Sequence, residues 1–505
     1  MNKIIELNIL KKKIEEKKLL NLKVGLCHGT FDLLHIGHIK HFQEAKTKVD
    51  LLVVTITPDR YVEKGPDRPI FDQALRAEAI AALNVVDYVS INKWPTAIET
   101  IKSLKPNLYI KGQDYKNQKS DISGNIKKEE EVTKKHGGIL YITNSEKYSS
   151  SNIINHNFIS FSDEQKSFLQ KLKAKYSLDY ISDFFKKIQT LNLLLIGESI
   201  IDEYVFCDTI GKSGKEPVLV NKKIFSEKYL GGILSVANSL GSLISSGYIL
   251  SSLGDINKQT GLINRMLSKK FKFDHVIKSN SSTILKTRFV DRYTKTKILG
   301  VYDLNDNQLT EQELKKFNLK ILDNIGNNDV VIEMDYNHGL ISNSTQDLIT
   351  KNASFLAVNG QINSFNVSFH NLNKYCGANY LCVNESEIRH HFRDKISPLK
   401  ELIIKLHSKS KLDYLVVTSG SSGSMCIDKH KKVISCPAFA NKVVDRIGAG
   451  DTFIAISALC FVSEMPTDLA LFVATLGASE AVSTMGTNIQ LDKYRLLKSI
   501  EVKLK

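Results

Sequence analysis

The seven cysteines, at positions 27, 207, 376, 382, 426, 436 and 460, are scattered, odd in number and without a Cys-x-x-Cys pair. That argues against a disulfide framework and a structural zinc site, and predicts reduced thiols in a cytoplasmic protein. No apolar run approaches the roughly 20 residues needed to cross a bilayer, so no membrane association is expected. The opening segment, MNKIIELNILKKKIEEKKLLNLK, is charged throughout and lacks the uninterrupted apolar stretch of a secretory leader. It reads as an amphipathic helix leading into a first strand. Internal repeats, low-complexity tracts and an Arg-rich stripe are also missing. The formal net charge is +15, but the lysines are dispersed and not interleaved with aromatics. That disfavours nucleic acid as a partner and leaves two readings, a lysine-rich composition or phosphorylated small substrates.

What is present is a chain of 505 residues, too long for one ordinary core, so two or three domains are expected. From 23 to 145, short apolar runs (KVGLC, DLLVVTIT, DYVSI, NLYIKG, GGILYIT) alternate with helical stretches (HIKHFQEAKTK, FDQALRAEAIAAL, TAIETIKSL). Such alternation predicts a parallel sheet covered on both faces. Residues 157–190 read as a helical linker. A second α/β pattern opens at 191 with LNLLLIGESIIDEY. The expected domains are therefore 1–156, the linker, and 191–505.

The first candidate site lies in GTFDLLHIGH, residues 29–38. Ligands bind parallel α/β sheets where strand ends meet helix starts, and Gly29-Thr30-Phe31-Asp32 is such a turn. His35 and His38, spaced i, i+3, share one face of the next helix, whose N-terminus favours phosphate. Two imidazole donors beside a bound phosphate suit charge developing as pyrophosphate leaves. By itself the tetrapeptide is also compatible with a surface or core histidine pair. Two families use it, the class I aminoacyl-tRNA synthetases and the cytidylyltransferase-like nucleotidyltransferases. The synthetases need a KMSKS-like loop, and the nearest string, MLSKK at 266–270, falls in the other α/β unit.

GTFDLLHIGHIKHFQEAK, RPIFDQALRAEAIAALNVVDYV, LKPNLYIKGQDY and YSSSNII resemble the nucleotidyltransferase half of the bifunctional ADP-heptose synthases. That implies a Rossmann-like domain with His35 and His38 catalytic. Thr30, Phe31, Lys46, Arg76, Lys111, Asp114, Ser150 and Ser151 would then contact nucleotide or phosphate. The nucleotide stays open between ATP and CTP, because GTFD is commoner in enzymes that use CTP.

The second candidate site is DRIGAGDTF, residues 445–453. Gly448-Ala449-Gly450 at a helix start leave amides for a migrating phosphoryl group, and Asp451 is placed to take a proton from an attacking hydroxyl. The bland alternative is a Gly-rich turn capping a core helix. The surroundings resemble the ribokinase/PfkB sugar kinases over 191–490. That implies a ribokinase-like α/β domain using ATP and Mg2+, with Asp202, Gly231, Gly232 and Ser235 toward the sugar. Asn384 and Glu387, in VNESE, match an element associated with Mg2+ and phosphate. MDYNHG at 334–339 resembles a motif of the heptose kinases. In the departures, Ser235 stands where Asn is usual, and VNGQINSFN at 358–366 replaces a turn in which those kinases carry Asp-Pro-Lys.

Together the resemblances imply a bifunctional sugar-activating enzyme in which the kinase half makes a sugar 1-phosphate and the other half joins it to a nucleotide. D-glycero-D-manno-heptose 7-phosphate and ADP-heptose are the expected substrate and product. The synthases usually place the kinase first, whereas here it comes second. Two alternatives stay open: the same chemistries on another sugar or polyol giving a CDP-linked product, or one silent domain acting as a sugar-phosphate sensor. Partners are expected to be sugar phosphates, nucleotides and further copies of the chain, associating through the kinase domain.

Overall fold

The computed structural model describes residues 3–62, 68–113, 125–144, 161–362, 367, 371–440, 443–486 and 491–504. Asp114, Ser150 and Ser151 lie outside the described residues. Contacts group the chain into two compact units, Met1–Lys173 with Tyr494–Lys505, and Ala174–Lys493. The stretch read as a linker, helical over Asp163–Lys175 and Leu178–Gln189, is thus divided between the units. The last residues group with the first unit, not with the kinase pattern that precedes them.

The first unit is built on five parallel strands, β1 (Val24–Gly29), β2 (Leu51–Ile56), β3 (Tyr88–Ile91), β4 (Leu108–Lys111) and β5 (Ile139–Ile142), in the order β3-β2-β1-β4-β5. β2, LLVVTI, is buried at every position, as expected of a strand covered on both faces. Its alternate side chains divide between two cores. Leu52 and Val54 join Cys27, Phe42, Ala77 and Ile80 on one face. Leu51 and Val53 join Leu26, Ile101 and Tyr109 on the other. That second face is closed by the helix Leu7–Leu19 through Leu7, Leu10 and Ile14, an i, i+3, i+7 stripe. Strand order reverses between β1 and β4, which puts a ligand crevice at the ends of these two strands.

The second unit holds a nine-stranded sheet, ordered β10-β9-β6-β13-β14-β15-β16-β17-β18. Its strands are β6 (Leu193–Gly197), β9 (Gly247–Ile256), β10 (Phe271–Ser282), β13 (Val330–Asp335), β14 (Leu356–Gly360), β15 (Tyr380–Asn384), β16 (Tyr414–Thr418), β17 (Ser424–Ile427) and β18 (Val433–Cys436). Pairing is parallel except at β17 and β18. The helices Ala449–Val462 and Thr467–Ala481 are apolar almost all round and correspondingly buried. A separate four-stranded sheet, ordered β12-β11-β7-β8, combines β7 (Ser199–Lys212), β8 (Leu219–Gly232), β11 (Ile284–Asp291) and β12 (Lys297–Asp303). It was not foreseen, because strands such as NKKIFSEK in β8 are exposed on both faces and give no burial pattern to read.

Two candidate active sites

At the β1–β4 crevice, Gly29 ends β1 and His35 caps the helix Ile36–Lys46. The His35 Nδ1 accepts the Gly37 N–H at 3.1 Å. In the neutral ring this puts the proton on Nε2, making that nitrogen a donor. The His35 and His38 rings stack with centroids 3.9 Å apart, and Phe31 packs edge-on against His38 at 5.3 Å. Phe31 itself sits at φ 47°. The expected pair is therefore brought together at a helix N-terminus, on an aromatic support.

Three further expected phosphate ligands, Lys46, Arg76 and Lys111, make contacts within the protein. Lys46 ends the helix that His35 begins, about 15 Å away along an axis rising ~1.5 Å per residue. There it donates to Asp87 and to the Asp50 carbonyl, each at 2.6 Å. Arg76 is buried, and its guanidinium is used internally. It donates to the carbonyls of Thr30, Phe71 (3.0 Å) and Thr57 (2.9 Å) and pairs with Asp59 at 2.5 Å. It braces the Gly29–Phe31 turn. Lys111 ends β4 in the crevice floor, where its Nζ meets the His28 carbonyl at 3.2 Å and Glu129 at 3.6 Å. Burial followed by the Lys111 charge pushes His28 and His41 down to about 4, so both rings are neutral at physiological pH. Sequence reasoning missed Arg68, whose buried side chain pairs with the buried Asp32 of the GTFD turn at 3.0 Å.

In the second unit the order of the nine-stranded sheet reverses between β6 and β13. Glu198, just past β6, binds across this point by accepting the N–H groups of Tyr336 and His338, each at 3.0 Å. Gly448 caps the helix Ala449–Val462 at φ 82°, in the left-handed region that favours glycine. A Cβ at Gly450 would meet nothing within 4 Å, which leaves open space over the helix start. The Asp451 Oδ1 accepts the Gln361 side-chain amide at 2.8 Å. Its carboxyl is raised to about 6, chiefly by burial and then by Asp202, while the Tyr336 hydroxyl, Lys286 and Gln361 oppose the rise. A value near 6 suits a base that works at neutral pH.

The loop before this helix is anchored by Asp445, which sequence reasoning passed over. Asp445 accepts the Tyr204 hydroxyl (2.8 Å), the Lys297 ammonium (2.6 Å) and the N–H groups of Ile447 (3.1 Å) and Gly486 (3.2 Å). Asp202 on β7 is engaged by Arg288 of β11. Gly231 leaves room for it, since a Cβ there would fall 2.3 Å from an Asp202 oxygen and displace that carboxylate. Lys286 is the cross-strand neighbour of Asp202 and, with Arg288, lies against the Tyr302 ring. Burial lowers the Lys286 ammonium, and Asp202, Glu198 and Asp451 are among the charges that act on it. Lys286 and Arg288 went unnoticed in the sequence because two cations in a half-exposed strand are unremarkable until topology places them. The Ser235 hydroxyl donates to the Gly232 carbonyl at 2.9 Å.

Asn384 and Glu387 form a reciprocal capping box at the start of the helix Glu385–Phe392. Glu387 is buried, with one oxygen on the Asn384 N–H (2.7 Å) and the other on the Ile362 N–H (3.1 Å). Among the described residues no group of three or more His, Cys, Asp or Glu side chains could hold a metal ion. With both Glu387 oxygens taken up by backbone N–H groups, Asn384 and Glu387 could meet a Mg2+ only through water.

Residues 190–493 match the pfkB family carbohydrate kinases. The chain belongs to the pfkB family. Residues 26–156 match the cytidylyltransferase-like family, so this pfkB chain carries a nucleotidyltransferase domain ahead of its kinase domain. Among curated relatives, the "Bifunctional protein HldE" of Campylobacter jejuni serotype O:2 is 27% identical over 325 residues, covering 64% of this chain and 68% of that protein. The protein of the same name from Geobacter metallireducens is 43% identical over 104 residues, 20% of this chain and 21% of that one. The fold of the second unit is that of Escherichia coli phosphofructokinase-2 solved with potassium: TM-score 0.50, 12% identity, covering 62% of this chain and 99% of that one. The pfkB chain is a bifunctional carbohydrate kinase and nucleotidyltransferase. No described helix is long and apolar enough to cross a membrane.

Proposed function

We propose that the kinase unit phosphorylates C1 of D-glycero-D-manno-heptose 7-phosphate with ATP. A separate phosphatase removes the 7-phosphate of the resulting 1,7-bisphosphate, and the first unit then joins the heptose 1-phosphate to ATP, giving ADP-heptose and pyrophosphate. The observation that carries this reading is the presence of two helix-start sites in one chain, His35 with His38 and Gly448–Asp451. Lys286 and Arg288 favour a substrate that already bears phosphate, because they bring two cations to the Asp202 side of the kinase site.

Asp451 takes the proton of the attacking hydroxyl, and the amides of Gly448–Gly450 receive the migrating phosphoryl group. Bound Mg2+ supplies charge neutralisation on the phosphates; Asn384 and Glu387 would meet it through water. In the first unit, His35 donates from Nε2 to phosphate oxygens while His38, stacked on it, supports the same charge. The exposed apolar residues of the four-stranded sheet, among them Leu219, Val220, Phe225, Leu299 and Val301, support self-association through the kinase unit.

Mass spectrometry of the purified protein with Mg-ATP and the heptose 7-phosphate tests the reading. A heptose bisphosphate should form and be absent in Asp451→Asn. In His35→Asn the bisphosphate should persist. With heptose 1-phosphate and ATP, pyrophosphate release by His35→Asn should fall by about 10²–10³-fold, while the asparagine keeps the helix cap. Pyrophosphate released with CTP but not ATP would move the product to a CDP-sugar. No bisphosphate from folded protein would remove the heptose assignment.

A further inference from the structure

The end of β14 and the residue after it, Val358-Asn359-Gly360-Gln361, lack the aspartate and lysine of the heptose kinases this stretch resembles. What stands there instead is tied firmly to the sheet. The Gln361 N–H donates to the Asp335 carbonyl at 2.9 Å, and the Asn337 side chain donates to the Gln361 carbonyl at 2.9 Å. The next residue, Ile362, donates its N–H to the buried Glu387 at 3.1 Å. From this fixed backbone the Gln361 side-chain amide reaches across to Asp451 Oδ1 at 2.8 Å.

We propose that Gln361 is the positioning residue of the kinase base: it occupies Oδ1 of Asp451 and orients the carboxylate for proton transfer from the sugar hydroxyl. This rests on the reading of Asp451 as that base. An amide is an uncharged donor at every pH. It therefore orients the carboxylate without the strong loss of basicity that an ammonium at the same distance would impose. The turn loses a cation and the base keeps its proton affinity. The other groups acting on Asp451 are the Tyr336 hydroxyl after β13, Asp202 on β7, Lys286 on β11, Cys382 on β15 and Glu387 on its helix. Among these, Lys286 and Tyr336 favour the ionised form of Asp451, and the two carboxylates oppose it.

The experiment is sugar phosphorylation by the full chain between pH 5 and 9, comparing wild type, Gln361→Ala, Gln361→Lys and Asp451→Asn, with kcat and the KM for ATP determined separately. Gln361→Ala should lower kcat about tenfold at neutral pH with the KM for ATP within about twofold. Its acid limb should move to higher pH, because a donor to the ionised form is lost. Gln361→Lys should move the acid limb the other way, to lower pH, because a cation stabilises the carboxylate. Opposite shifts are a result that a merely structural role would not produce. If both variants keep the wild-type limb, or change only KM, Gln361 does not position the base. If Asp451→Asn retains wild-type phosphorylation, the assignment of the base fails, and the proposal falls with it.

Discussion

Glu333 shows what a single buried group costs the kinase unit. It lies in the middle of β13, fully buried, with Gln346 and Lys374 too little to offset its burial. Burial raises it to about 8, with Asp335 adding to the rise. In the unfolded chain the same group ionises near its ordinary value of 4.5. Between those two values the unfolded state releases a proton that the folded state keeps, so stability falls as pH rises from about 4.5 to 8. Glu333→Gln removes that dependence. Chemical denaturation should find the variant more stable than wild type at pH 7, with the gap closing as pH approaches 4.5. A gap independent of pH would mean that packing, not ionisation, sets the difference. Residue types in the sequence named His35, His38 and Asp451 correctly as neighbours of helix starts, since helix N-termini follow from local pattern. They said nothing of Gln361, Lys286 or Arg288, whose roles come from strands far apart in the chain.

At the scale of elements, the alternating apolar runs of residues 23–145 were legible almost strand for strand, because the central strands β1, β2 and β4 are buried on both faces and the runs are set apart by helices. The four-stranded sheet was not, since exposed strands carry no such contrast. Two expected phosphate ligands are engaged within the protein: Lys46 lies at the opposite end of its helix from His35 and pairs with Asp87, and Arg76 faces inward. Their consequences differ in kind. Arg76→Leu leaves three carbonyls and the partly exposed Asp59 without their donor and should cost about 1–3 kcal/mol of stability, read by urea denaturation, together with a loss of pyrophosphate release as the Gly29–Phe31 turn loosens. Lys46→Ala breaks only a half-exposed pair with Asp87 and should cost under about 1 kcal/mol with pyrophosphate release unchanged. A large loss of release in Lys46→Ala would restore it as a phosphate ligand.

At the scale of the whole molecule, the first unit is made of two separate stretches of chain, Met1–Lys173 and Tyr494–Lys505. The second stretch is mostly the helix Lys493–Leu504, which buries Leu496, Leu497, Ile500, Val502 and Leu504 and sets Lys503 over the Phe161 ring at 4.7 Å. Buried side chains of this kind contribute about 1.5–3 kcal/mol each. A chain ending at residue 493 should therefore lose pyrophosphate release on warming while sugar phosphorylation persists. Loss of phosphorylation first would show that the helix stabilises the other unit instead.

The divided first unit also sets an order of events on the ribosome. Domains generally fold as units while the chain emerges. The kinase unit is one continuous stretch, Ala174–Lys493, and needs no residue outside that range. The unit whose synthesis begins first receives residues 494–505 only after the whole kinase sequence has been made. Until those residues are made, the stretch Met1–Lys173 lacks Leu496, Leu497, Ile500 and Val502, which the helix Lys493–Leu504 buries.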